Sequence, residues 1–122
     1  MEIWLNPACS KCRAAVTQLD EAGARYTVRR YLDDPPDAGE IAAVLSRLRL
    51  EPWDITRTGE ALATELDLAS WPRDAASKAK WIELLARHPA LLQRPIITAE
   101  DGTAVVGRSP EAVADVISRE GP

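Results

Sequence analysis

The spacing of apolar residues changes several times along the chain, and each change marks an element. "EIWL" (2–5) is a short apolar run that ends at Asn6-Pro7, a turn signal, and reads as a strand. From Ser10 to Ala22 the residues Cys12, Ala15, Val16 and Leu19 recur at i, i+3, i+4 and i+7, one face of a helix that Gly23 ends. "RYTVRRYL" (25–32) reads as a second strand closed by "DDPP". A strand, a crossover helix and a strand require the two strands to be parallel.

The middle of the chain carries helical periods. Asp37 and Glu40 form a capping-box pattern ahead of Ile41, Val44, Leu45 and Leu48. Further helical stretches are expected near 59–67 and 74–87, the latter stopping where Pro89 restricts His88. "RPIIT" and "TAVVG" then flank "AEDG", whose Asp-Gly pair signals a hairpin. Ser109, Pro110 and Glu111 open a last helix as cap, first-turn proline and first-turn acid, with Val113, Val116 and Ile117 facing inward. The expected class is α/β: β-α-β, a helical insertion over about 37–90, then β-β-α, the thioredoxin-like topology in a single domain spanning 1–122.

Composition narrows the function classes. The 122 residues suit one domain with one core, and a formal charge of −4 argues against nucleic acid or an anionic membrane as partner. Glu2 without a basic n-region, and no apolar run near ~18 residues, give the expectation of a cytoplasmic chain without signal peptide or membrane anchor. A disulfide between cysteines this close would constrain the unfolded chain little, which leaves redox chemistry, metal binding or burial for them.

Both cysteines lie in "NPACSKCR" (6–13), where a strand runs into a helix. A helix N-terminus favours a thiolate at Cys9, and Lys11 and Arg13 add cations that should depress its pKa further. Cys12, one turn on and on the apolar stripe, should be the buried and less acidic thiol. The pair can divide into an attacking and a resolving sulfur; the alternative is that Cys12 fills the core and Cys9 is an incidental surface thiol. Zinc is disfavoured, since only His88 could join the two cysteines, and no metal is expected. Arg57, Arg94 and Arg108 are not distinguished by spacing. Pro95 beside Arg94 is a candidate cis peptide, and Arg108 lies between a strand and a helix start, where anions gather. The tryptophans are expected to pack, with Trp53 and Trp71 as candidate partner contacts.

With these residues in view, the chain resembles the thioredoxin-fold arsenate reductases of the glutaredoxin-coupled kind and their relatives, the Spx thiol-sensing regulators. The resemblance rests on "NPAC" followed by Arg13, "YLDDPP" (31–36), "ITRTGE" around Arg57, "HPALLQRPII" (88–97) and "VGRSPEAV" (106–113). It implies that Cys9 attacks arsenate while Arg57, Arg94 and Arg108 hold the oxyanion, with Asn6, Lys11, Arg13 and Pro95 in support. The reductases commonly carry serine where this chain has Cys12, and histidine where it has Leu5; the Spx proteins have the second cysteine but lack the arginine matching Arg108. Three readings follow: an arsenate reductase, a redox sensor that binds RNA polymerase, and a general thiol-disulfide oxidoreductase. The enzyme reading implies no bound cofactor, an external donor such as glutathione or another small thiol, glutaredoxin or thioredoxin, and action as a monomer.

Overall fold

The computed structural model describes residues 1–120. Along the chain come β1 (Glu2–Trp4), α1 (Ser10–Glu21), β2 (Thr27–Arg29), α2 (Ala38–Leu48), α3 (Ala61–Glu65), α4 (Lys78–Arg87), β3 (Ile96–Thr98), β4 (Ala104–Val106) and α5 (Pro110–Ser118). The chain divides into two compact units, one formed by residues 1–34 together with Arg94 onward, the other by Pro35–Gln93.

The first unit is built on a mixed sheet of order β2-β1-β3-β4, with β1 and β2 parallel and β1-β3 and β3-β4 antiparallel. This is the thioredoxin-like α/β arrangement that the sequence predicts. Its core joins Ile3 of β1, Ala15 and Leu19 of α1, Ile97 of β3, and Val113 and Val116 of α5, so the periodic faces of both helices close on one sheet. Gly23 ends α1 at φ +67°, a left-handed conformation that costs glycine nothing, and Ala24 N–H then returns to the Leu19 carbonyl at 3.0 Å. Asp101-Gly102 turns the β3-β4 hairpin as expected. The second strand is shorter than the 25–32 expected: Thr27 and Val28 are exposed on an edge, and a turn in which Asp33 and Asp34 N–H groups both bond the Arg30 carbonyl ends it before Tyr31.

In the second unit α2 packs on α4. The Asp37–Glu40 capping box is present in full, and Ile41, Val44 and Leu45 are buried. Trp81 is fully buried, with Trp53 and Trp71 set edge-on to its ring at centroid distances of 6.1 and 5.3 Å, so three of the four tryptophans pack together in this unit. The stretch expected near 59–67 is a single short helix, because Asp67 turns to φ +54°. The stretch expected at 74–87 begins as a 3-10 turn capped by Asp74 and becomes helical at Lys78. His88 caps the end of α4 through its N–H to the Leu84 carbonyl. Among the described residues no helix is long and apolar enough to cross a membrane.

Candidate active site

Sheet register gathers the chemistry at one edge of the first unit. Trp4 pairs with Arg29 on one side and Ile96 on the other, and Ile96 with Val106, so these four residues form one row across the sheet. The chain leaves that row after Trp4 toward Cys9, after Arg29 toward Tyr31 and after Val106 toward Arg108, and it enters the row from Arg94 and Pro95.

The Cys9 loop is tied by its own backbone. Asn6 accepts from Ala8 N–H through its side chain and from Cys9 N–H through its carbonyl, both at 3.0 Å, while Asn6 N–H points at Cys12 Sγ, 3.5 Å away. Arg13 folds back onto the carbonyls of Pro7 and Ala8 at 3.4 and 3.3 Å. Cys9 thereby takes the N-cap position of α1 with extended backbone, and its sulfur is only partly exposed. Partial burial pushes its thiol up, but the Cys12 N–H, the Arg94 side chain and the Lys11 N–H together outweigh it and bring Cys9 down to about 7. The expectation that the Lys11 and Arg13 charges would do this is corrected: Lys11 contributes its backbone N–H, and the Arg13 guanidinium is spent on the loop carbonyls. Cys12 is fully buried, and burial first, then the neighbouring Cys9, raise it to about 11 against the opposing Asn6 N–H. One sulfur is thus poised to ionise near neutrality while its neighbour stays protonated.

The arginines expected to act together divide between the units. Arg94 lies beside Cys9, and the Arg94-Pro95 peptide is cis. Arg108 places Nη1 on the Arg94 carbonyl oxygen at 2.9 Å, which leaves the rest of its planar donor set for an anion. Gly107 makes this approach feasible, because a Cβ there would meet Ile97 Cδ1 at 2.9 Å and Pro95 Cγ at 3.3 Å, while Gly107 N–H bonds the Pro95 carbonyl at 2.8 Å. Arg57 belongs to the second unit. There its N–H bonds the Leu91 carbonyl at 2.7 Å and its guanidinium pairs with Glu60 at 3.1 Å. Among the described residues no group of three or more His, Cys, Asp and Glu side chains is placed to hold a metal ion.

Two residues at this edge escaped the sequence reading. Tyr31 is 1 % exposed although it follows an exposed edge strand, and its hydroxyl is buried without a hydrogen bond. Gly107 was read as the end of a strand; only the three-dimensional approach of Pro95 and Ile97 shows why it carries no side chain. Beside α1 a small cleft of about 110 Å³ is lined by Lys11, Gln18, Arg108, Ser109 and Val113. None of the larger clefts has either thiol in its lining, so chemistry rather than volume marks the site.

Comparison with known proteins identifies the family. The ArsC family model matches residues 4–116. A Streptomyces viridochromogenes protein named for its place in the glnII region is 66% identical over 98% of this chain and 100% of its own length. An arsenate reductase of Neisseria meningitidis serogroup A is 39% identical over 96% of this chain and 97% of its own. Among solved structures, an arsenate reductase from Vibrio cholerae superposes with a TM-score of 0.84 at 32% identity, covering 95% of this chain and 98% of that one. With its sheet order, its cysteine at the head of α1 and a family match spanning nearly its whole length, the chain belongs to the ArsC family.

Proposed function

We propose that this chain is an arsenate reductase in which Cys9 is the nucleophile. The observation that carries the reading is Cys9 itself: a thiol brought to about 7 at the head of α1, beside Arg94 and at the sheet edge from which Arg108 projects. Relatives named arsenate reductase support the choice of oxyanion.

Near neutral pH arsenate is largely a dianion, and guanidinium forks offset its charge against that of the attacking thiolate. Attack forms a sulfur–arsenic bond and expels one arsenate oxygen, protonated, as water. Cys12 then attacks the Cys9 sulfur and gives up its own proton. A sulfur–sulfur bond forms, the sulfur–arsenic electron pair passes to arsenic, As(V) becomes As(III), and arsenite leaves. An external donor, either glutathione or a glutaredoxin- or thioredoxin-like protein, returns the disulfide to two thiols. Arg57, matched to the third oxyanion arginine by the resemblance, enters the proposal on that ground alone.

Arsenite release under a panel of thiol donors, with Cys9→Ser as control, tests this. Release that needs Cys9 supports the enzyme. A reversible Cys9–Cys12 disulfide with no arsenite under any donor turns the same residues into a redox sensor, a reading that Cys12 in place of the reductases' serine favours.

A further inference from the structure

The cleft of about 110 Å³ beside α1 has an apolar floor of Ala15, Gly107 and Val113, all buried, and a polar rim that includes Lys11, Gln18 and Arg108. Every residue lining it belongs to the first unit. Two cations face it and no carboxylate does. The Lys11 ammonium makes no hydrogen bond or ion pair among the described residues. Arg108 spends Nη1 on the Arg94 carbonyl and keeps its other donors. Gln18 turns its amide N–H to the Pro110 carbonyl at 2.9 Å, which leaves its amide oxygen as an acceptor on the same rim. The rim therefore offers cationic donors for a carboxylate and one acceptor for a neighbouring N–H, the pattern of a peptide's C-terminal end. A volume this small takes a chain end and not a whole cofactor. Lys11 follows Cys9 by two residues, about 5–6 Å at Cα in helical geometry. A cysteine next to a C-terminal residue covers that span, since their Cα atoms are ~3.8 Å apart and a side chain and a carboxylate extend beyond them.

We propose that this cleft seats the external reductant: it takes the C-terminal carboxylate of a small peptide thiol of the glutathione class, with Lys11 and Arg108 on the carboxylate and the Gln18 amide oxygen on the preceding N–H. This rests on the Cys9–Cys12 disulfide of the reading above. The seated thiolate attacks Cys9 Sγ, a bond forms between those two sulfurs, and the Cys9–Cys12 bond breaks with its electron pair leaving on Cys12, which takes up a proton. A second thiolate then attacks the peptide's sulfur, so that Cys9 departs as thiolate and the peptide disulfide carries the oxidation away. The Cys9–Cys12 disulfide exists only after arsenite has left. Arg108 is thereby free to serve arsenate in one half of the cycle and a carboxylate in the other.

The test needs no arsenate. The full chain, oxidised and shown by intact mass to hold the Cys9–Cys12 disulfide, is reduced at low salt by glutathione or by its glycinamide, which keeps the thiol and lacks that carboxylate. Each rate is divided by the same thiol's rate with a small aromatic disulfide, which removes differences in thiol reactivity. Glutathione should lead by about tenfold, within the range of two exposed charge pairs. Lys11→Met keeps the backbone N–H that bonds Cys9; it should cut the lead to about threefold and leave the glycinamide rate unchanged. Equal rates with the two thiols in the wild type overturn the proposal, and so does a lead that Lys11→Met leaves intact. A chain that forms no Cys9–Cys12 disulfide on oxidation overturns the proposal together with the disulfide step it rests on. A lead that depends on Lys11, in a chain that releases no arsenite from arsenate, supports this seat and overturns the oxyanion reading alone.

Discussion

Arg108 donates from Nη1 to the carbonyl oxygen of Arg94 at 2.9 Å, so one arginine of the candidate site fixes the backbone of another. The bond joins the chain entering β3 to the chain leaving β4, next to the Gly107–Pro95 backbone bond. A change at position 108 therefore acts twice, on its own donors and on the aim of Arg94.

Replacing Arg94 or Arg108 with alanine should each cost on the order of 2 to 4 kcal/mol of transition-state stabilisation in kcat/KM for arsenate, with the fold kept. Because the two are coupled, the double variant should lose less than the sum of the single losses. Lysine should rescue poorly at either position, lacking the planar fork. The same assay applied to Arg57→Ala should give a loss of the same order; wild-type turnover would remove Arg57 from the oxyanion set.

Alkylation of Cys9 should follow a single titration with a midpoint at about 7, with Cys12 silent until about 11. Reaction with iodoacetamide across pH, located by peptide mass, measures both. A Cys9 midpoint at or above the free-thiol ~8.5 would remove it as nucleophile.

The two shifts bear on stability with opposite signs. Cys9 is depressed, so its contribution is present above the unfolded value of ~8.5 and is lost as pH falls through about 7. Cys12 is raised, so its contribution is full below ~8.5 and is lost as pH rises toward about 11. Urea midpoints of the reduced protein should show the upper loss, and Cys12→Ala should flatten it.

After one arsenate turnover without external thiol, intact-mass spectrometry should find the wild type lighter by two hydrogens. Cys12→Ser should instead stop at a sulfur–arsenic adduct on Cys9, and should release arsenite, leaving a mixed disulfide on Cys9, only once a small thiol is added. An adduct on Cys9 in the wild type, with Cys12 still free, would return Cys12 to a packing role.

Gly107→Ala should destabilise the chain by about 1–3 kcal/mol, the range for overpacking. The new methyl meets Ile97 at 2.9 Å and has Pro95 and Val113 behind it. Urea unfolding should show a lower midpoint at unchanged slope.

The parts of this site that local rules govern were legible in the sequence. A thiol between a strand and an apolar helical stripe has to occupy a helix start, and Cys12 on that stripe has to be buried; both follow from period and capping alone. Roles that depend on what the chain meets after folding back were not. Arg13 looked like a charge for Cys9 because the two are neighbours in sequence, yet its side chain turns to Pro7 and Ala8. Tyr31 follows two exposed positions of an edge strand and shows no period that would announce its burial. Arg94 and Arg108 are each marked by position, beside Pro95 and between a strand and a helix start, but nothing local shows that they are joined across a hairpin.

The ties that close the Cys9 loop avoid the sulfur that does the chemistry. Ala8, Cys9 and Arg13 use backbone and side-chain oxygens and nitrogens, so an adduct can form and leave at Cys9 Sγ without undoing them. The loop returns to each cycle already ordered, with no folding step to repeat. Asn6 N–H is different, since it alone among these ties points at a sulfur that changes bonding, Cys12 Sγ. Its amide is therefore a built-in gauge of oxidation state: its exchange with solvent deuterium should differ between reduced and disulfide forms while its neighbours keep the same rate.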